Sequence, residues 1–376
     1  MEGLFSPLTF RRGPVMKNRF MLAPMTTHQC LEDGTVTEDE IRWLRARAQG
    51  GYGMVATCAT HVSENGKGFW GELGIFSDAH LPGLARLAAA VRTSGALSCV
   101  ELYHGGRRAV KADIPGPLVS PSDDAETGAR ALTPAEIEAV IGDFADAAVR
   151  AEKAGFDGVL LHAAHGYLIS AFISAQYNRR SDAYGGSLGN RCRFLFEIIR
   201  RIRARCSPGF QLSVRLSPER FGHDLGEMIE VAQRLLLDGD IDFLDLSLWD
   251  VFKEPEDARF KGRTLISCFS GLQRAGTRMG VAGKLIQPSG LMRCMDEGAD
   301  YVSLGKVGIL HQDYPARLAA DRNFAANWLP VSAAYLREQN VGDAFIGNLT
   351  RYTNFVSDLR IPEGVTRFDI DEYLKK

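Results

Sequence analysis

Eleven residues, Asp157 to Tyr167 (DGVLLHAAHGY), hold the densest group of side chains able to do chemistry in this chain. An apolar run, Gly158 to Leu161, ends abruptly in His162, His165 and Tyr167. Two imidazoles and a phenol can donate hydrogen bonds to an electron-rich oxygen or deliver a proton. A strand that buries its body and ends in such groups places them at one edge of a sheet. In parallel α/β proteins that edge is where reactions occur.

The elements that must position this trio follow a repeated grammar. A helix-like stretch stops at glycine and an apolar run begins within a few residues, at Gly51–Val55, Gly155–Val159, Gly239–Leu244 and Gly298–Val302. Glycine accepts the left-handed conformation that ends a helix, and the following run is expected to be apolar on both faces, as in parallel strands. The helix before the trio shows a full set of signals. Thr133 caps it, Pro134 suits its first position, Glu136 completes a capping box and Gly155 closes it. Further strands are expected at Arg19–Ala23, Leu97–Tyr103, Gln211–Leu216 and Gly280–Gly283. Eight alternating units predict an α/β fold, a single (β/α)8 TIM barrel over residues 1–325. No G-x-G-x-x-G follows a strand, so a Rossmann dinucleotide domain has no support. Residues 326–376 break the rhythm and are read as a C-terminal, partly helical extension. It would pack on the barrel or on a neighbouring subunit, the second case implying a homo-oligomer.

On a barrel, residues just after each strand share one face. Pro24, Met25, Thr26 and His28 follow the first strand, Ala59 and His61 end the second, and Glu101, Tyr103 and His104 end the third. Arg215 ends the fifth. Gly283 and Lys284, then Gly305 and Lys306, follow the seventh and eighth. The last four occupy the usual phosphate position of such barrels, where glycine lets backbone N–H groups approach an anion and lysine neutralises it. A phosphate-tethered cofactor facing neutral donors and a small-molecule substrate is a coherent site.

Composition narrows the classes. The chain has 376 residues, 45% hydrophobic and 24% charged, which is ordinary for a globular protein. A net charge of -2 gives no reason to expect nucleic acid or an anionic membrane as partner. No apolar stretch approaches the length of a spanning helix, and the first residues lack the apolar core of a secretory signal. The seven cysteines are scattered, odd in number and never spaced C-x-x-C. That argues against disulfides, a bound metal or a cluster, and for a reducing cytoplasm.

The motifs APMT (Ala23–Thr26), HAAHGYL (His162–Leu168) and NRRSDAYGGSLGNR (Asn178–Arg191) together resemble the old yellow enzyme family of FMN-dependent ene-reductases. The likeness covers most of the chain. It implies reduction of activated C=C bonds, such as α,β-unsaturated carbonyls, by NAD(P)H in a ping-pong cycle through FMN. It further implies that Ala23, Pro24, Met25, Thr26 and Ala59 line the isoalloxazine and that Glu101 and Arg215 sit beside it. Gly283, Lys284, Gly305 and Lys306 would hold its phosphate. His162 and His165 would grip the acceptor oxygen, Tyr167 would donate the proton, and His28 would stand in the substrate mouth.

Three positions depart from the family pattern: Glu101 where glutamine is usual, Lys306 where arginine is usual, and His28 where an aromatic residue is common. Glutamine both donates and accepts, whereas an ionised carboxylate only accepts. Glu101 should therefore disfavour a reduced, anionic flavin unless it carries a proton.

Plainer readings stand beside these. The two histidines could be metal ligands, although no carboxylate sits at matching spacing, or satisfied structural residues. Tyr167 could cap a core, and Lys284 and Lys306 could be surface lysines. Tyr184–Arg191 reads as structural, with Ser187 as a cap; His61, His104 and Arg107 carry no assignment. Two further functions remain open: a redox-neutral isomerase or specialised oxidase on the same fold, and a non-catalytic FMN sensor. A cysteine cluster after the barrel would mark a multidomain branch, but the last cysteine is Cys294.

Overall fold

The computed structural model describes residues 1–326 and 329–360. Eight strands close into one parallel barrel: β1 (Phe20–Leu22), β2 (Met54–His61), β3 (Leu97–Tyr103), β4 (Gly158–Ala163), β5 (Gln211–Leu216), β6 (Phe243–Ser247), β7 (Arg278–Ala282) and β8 (Tyr301–Leu304). Each pairs with its sequence neighbours, and β1 pairs with both β8 and β2, so the sheet has no open edge. All eight expected strands are present.

Helices α1 (Glu38–Gln49), α2 (Leu81–Thr93), α3 (Pro134–Ala154), α4 (Arg193–Arg205), α5 (Leu225–Asp238), α6 (Pro288–Asp296), α7 (Lys306–Leu310) and α8 (Tyr314–Ala320) surround it. Between β6 and β7 the described chain makes two 3-10 turns, Ala258–Phe260 and Ile266–Cys268, in place of a helix. The capping box at α3 is present as read: Thr133 Oγ1 accepts from Glu136 N–H and the Glu136 carboxylate accepts from Thr133 N–H. Gly155 closes α3 at φ 89°.

Strand alternation decides what lies inside. Phe20, Leu22, Val55, Val100 and Leu161 belong to the large core between strands and helices. Their neighbours Met21, Met54, Leu97, Cys99, Leu160, Phe243 and Tyr301 form a separate cluster inside the barrel. Leu8 and Met16, bridged antiparallel, plug it from the N-terminal end. Two residues beyond the interior members Cys99, Leu160 and Phe243, the same alternation places Glu101, His162 and Asp245 in the barrel.

The expectation of a strand apolar on both faces therefore needs correction for β6, whose interior column continues from Phe243 to Asp245 and Ser247; that of β5 is polar throughout, Gln211, Ser213 and Arg215. Buried groups of this kind must find partners, and the barrel's upper half supplies them.

The tail beyond the barrel folds back on it. Helix α9 (Ala333–Glu338) sends Tyr335 Oη to the Leu310 carbonyl at 2.7 Å. Ahead of α10 (Asp343–Leu349), Gly342 N–H reaches Gln29 Oε1 at 2.8 Å, and Phe345 meets the Trp43 ring edge-on. Asn348 Nδ2 donates to the Thr26 carbonyl at 3.3 Å, so this tail braces the loop after β1. Asn327, Trp328 and residues 361–376 of the expected extension lie outside the described residues.

Candidate active site

The trio sits at the C-terminal mouth of the barrel. His162 is the fifth residue of β4 and is buried. His165 follows with φ 60°, a left-handed conformation that is uncommon for a side-chain-bearing residue and collects at functional sites. Its N–H donates to Ser217 Oγ at 3.1 Å, which holds that turn. Tyr167 begins the short helix Leu168–Ile173.

Hydrogen bonding assigns both imidazole tautomers. Ala164 N–H donates to His162 Nδ1 at 3.3 Å, so the proton of neutral His162 lies on Nε2. That nitrogen is 3.3 Å from His165 Nδ1, which must accept. The remaining His165 Nε2–H donates to Ser247 Oγ at 2.8 Å. Burial pushes both rings well below the usual imidazole range, and the nearby Arg215 and Arg108 charges add to this. Both histidines are neutral donors at physiological pH.

The phenol completes a close aromatic group. Tyr167 meets Tyr103 edge-on at 4.6 Å between ring centres and His162 at 5.0 Å. The Arg108 guanidinium lies 4.9 Å from the Tyr167 ring centre and donates to the His165 carbonyl. Arg108 and Ser247 thus belong to the site although sequence reading did not name them, and Tyr103, placed on this face by sequence, joins them. Ser247 and Trp249 could have been found by applying the strand-end rule to β6; Trp249 lies 5.4 Å from His165 between ring centres.

Next to the trio lies a buried ionic string. Glu101 Oε1 is 3.3 Å from Arg215 Nη1, and Arg215 Nε is 3.1 Å from Asp245 Oδ2. That second contact is off the N–H line, so both atoms lack a hydrogen-bond partner. Tyr301 Oη donates to Asp245 Oδ1 at 3.4 Å. Glu101 Oε2 also lies 3.8 Å from His162 Nε2. Burial pushes the Glu101 carboxyl up to about 7 against the pull of Arg215, and Asp245 pushes it in the same direction as burial. Desolvation likewise raises Asp245.

A bulge in β2 aims this string. Pairing with β3 slips between Ala56 and Ala59, which brings Ala59 opposite Glu101. Thr57 Oγ1 accepts the Glu101 N–H at 3.2 Å and meets Thr60 Oγ1 at 3.1 Å.

The remaining strand ends fit a flat ring with an anionic tail. Ala23, Pro24 and Ala59 are small and buried, and the Pro24 carbonyl accepts from Arg215 Nη1 at 3.5 Å. A Cβ on Gly305 would meet only Met25 Sδ, at 3.7 Å, so the chain is open there. At Gly283 (φ 149°) a Cβ would come within 2.7 Å of the Trp249 carbonyl carbon; only glycine lets these two loops approach. Lys284 and Lys306 are exposed beyond the adjoining strands β7 and β8, Lys284 3.5 Å from Asp250. The orphaned Arg215 Nε, the cleared backbone and two lysines match a flavin mononucleotide in chemistry.

The other sequence candidates have these surroundings. His28 (φ 57°) packs on Phe69 at 5.0 Å and is held neutral by burial, which lowers it to about 4. Arg107 is structural: it pairs with Asp124 and Glu126 and stacks on Tyr177. His61 Nδ1 and His104 Nδ1 bond local backbone groups. Ser187 caps the turn Leu188–Arg191 as read. Among the described residues no His/Cys/Asp/Glu group could hold a metal ion, and no helix is long and apolar enough to cross a membrane.

A family model described as the NADH:flavin oxidoreductase / NADH oxidase family matches residues 3–322. The probable NADH-dependent flavin oxidoreductase YqiG of Bacillus subtilis (strain 168) is 32% identical over 332 residues, covering 85% of this chain and 88% of its own. An old yellow enzyme homologue from Zymomonas mobilis superposes with a TM-score of 0.76 at 30% identity, over 89% of this chain and 96% of that one. A 2-naphthoyl-CoA reductase, solved with 2-naphthoyl-CoA, reaches the same TM-score at 29% identity; it matches 85% of this chain, which spans 52% of that longer one. The closed barrel, the donor trio and these likenesses agree: the chain belongs to the NADH:flavin oxidoreductase / NADH oxidase family of old yellow enzymes, oxidoreductases that use FMN and NAD(P)H.

Proposed function

We propose that this oxidoreductase reduces an activated C=C bond conjugated to a carbonyl or related oxygen, in a ping-pong cycle. The carrying observation is the pair of neutral histidines beside Tyr167 at the barrel mouth. Bound FMN would take hydride from NAD(P)H and pass it to the acceptor's β-carbon. Ala23, Pro24, Met25, Thr26 and Ala59 would lie along its ring, Arg215 at its pyrimidine edge, and Gly283, Lys284, Gly305 and Lys306 around its phosphate.

The protein's own groups then do three things. An acceptor oxygen takes the His162 Nε2–H now given to His165, and His165 turns from Ser247 to donate alongside it. Donors aimed at developing negative charge favour the transition state over the ground state. Tyr167, within the same aromatic group, delivers a proton to the α-carbon. Arg108 places a positive charge near that phenol and near both imidazoles, which favours an oxygen that gains charge.

The test is anaerobic. NADPH or NADH should bleach the flavin spectrum, and cyclohexenone should restore it. Flavin that neither nucleotide reduces would turn the reading towards the isomerase or sensor. Tyr167→Phe should slow reoxidation by cyclohexenone roughly 10²-fold or more while sparing reduction by nucleotide. Equal loss in both half-reactions removes Tyr167 from proton delivery.

A further inference from the structure

Glu101, Arg215 and Asp245 place one cation between two carboxylates inside the barrel, where Glu101 is 2% and Asp245 0% exposed. His162 is neutral and supplies no compensating charge. Fully ionised, the string carries one uncompensated negative charge out of reach of water. Such a charge is strongly disfavoured, and a proton relieves it.

Of the two carboxyls, Glu101 is the one beside the donor trio, its Oε2 3.8 Å from His162 Nε2. It sits opposite Ala59, one strand from His162, and Arg215 also reaches the Pro24 carbonyl. Every charged or titratable group facing it is accounted for. Arg215 on β5 pulls its proton off. Asp245 on β6 opposes that pull, while burial pushes the Glu72 carboxyl, on the loop after β2, well above the usual carboxylate range, and Cys99 and Tyr103 on β3 are uncharged, their ionisation suppressed by burial. The balance leaves the carboxyl close to half-protonated at neutral pH. A negative charge arriving beside it must tip the balance towards the protonated form.

We propose that Glu101 takes up a proton when the adjacent flavin is reduced and releases it when the flavin is reoxidised. This rests on FMN lying over Ala59 beside Arg215, as above. In the reductive step NAD(P)H gives hydride to FMN, leaving NAD(P)⁺ and an anionic reduced flavin, while a proton from solvent converts the Glu101 carboxylate to the acid. In the oxidative step the hydride leaves with the acceptor and the Glu101 proton returns to solvent; the acceptor's own proton comes from Tyr167. Where the oxidised protein holds Glu101 ionised, two-electron reduction thus consumes up to one proton more than in a protein with glutamine there.

The experiment measures the midpoint potential of the FMN-loaded protein by spectroelectrochemistry from about pH 6 to about pH 9, for the native chain and Glu101→Gln. The two potentials should run parallel near pH 6 and diverge above about pH 7. There the native equilibrium should shift an extra tenfold per pH unit, about 30 mV for a two-electron couple. The reduced-minus-oxidised infrared spectrum of native protein with ¹³C-labelled glutamate should gain a label-sensitive carboxylic acid band, a readout that needs no variant to fold. Parallel potentials throughout, or no such band, overturn the proposal while a bound, reducible flavin leaves the family reading intact. A protein that takes up no FMN overturns both.

Discussion

His162 and His165 form a short relay whose direction is set by one backbone N–H, that of Ala164. Both protons are therefore expected on Nε2. A long-range ¹H–¹⁵N correlation spectrum of the ligand-free protein should show two neutral Nε2–H tautomers with no protonation shift as pH falls from 7 to about 5. A Nδ1–H form at either residue, or titration near the ordinary value, contradicts the relay. Ser247→Ala removes the partner of His165 Nε2 but not the His162 Nε2–H that His165 Nδ1 accepts, so both Nε2–H tautomers should persist in that variant. At this scale much was legible. A strand ending in two imidazoles and a phenol announces its use because uncompensated polar groups are costly at the end of a buried strand. Arg108 was not legible: ELYHGGRR offers two adjacent arginines, and only the folded loop sends Arg107 to Asp124 and Arg108 to the His165 carbonyl. Nor was the partner of His28 legible: a left-handed backbone sets its ring against Phe69.

Among elements, α3 shows how local signals carry through to structure. Its cap, first-turn proline and closing glycine act within a turn of chain, so no distant partner can overrule them cheaply. Thr133→Ala should cost about 1 kcal/mol, read as a lower Tm without loss of bound flavin. Burial of the strands depends instead on their neighbours. In β7, a Cβ on Gly280 would fall 2.1 Å from the Tyr301 ring carbon Cζ, and that ring fills the barrel beside Phe243. Gly280→Ala should destabilise the fold by about 1–3 kcal/mol, measured by chemical denaturation; an unchanged midpoint means the ring moves aside freely. The bulge at Ala56–Ala59 left no mark in the sequence. MVATCATH reads as an uninterrupted strand, and the slip is seen only against β3, where Thr57 and Thr60 hold it. The bracing of the Thr26 loop by α10 was equally hidden, because it joins residues 322 positions apart.

For the whole molecule, the polar interior links stability to pH. The Glu101 carboxyl stands at about 7 in the fold against an ordinary 4.5, and Asp245 is shifted in the same direction. A raised carboxyl contributes stability that is present below its unfolded value and lost as pH rises through its folded value. The flavin-free protein should therefore melt lower at pH 8 than at pH 5, and Glu101→Gln should shrink that difference. The Glu101 share is at most about 3 kcal/mol. A variant whose Tm falls with pH as steeply as the native chain's would place the linkage elsewhere. By itself the sequence determined the barrel, the mouth where chemistry gathers and the identity of the donor trio, since helix caps, apolar runs and strand ends are properties of adjacent residues. Only the tertiary structure decided which strands carry a polar inner column, which arginine faces the histidines, and that Glu101 shares its cation with Asp245. Those outcomes depend on residues from 57 to 114 positions apart, Arg108 with His165 and Glu101 with Arg215, meeting where water is excluded, and it is that exclusion which gives each charge its weight.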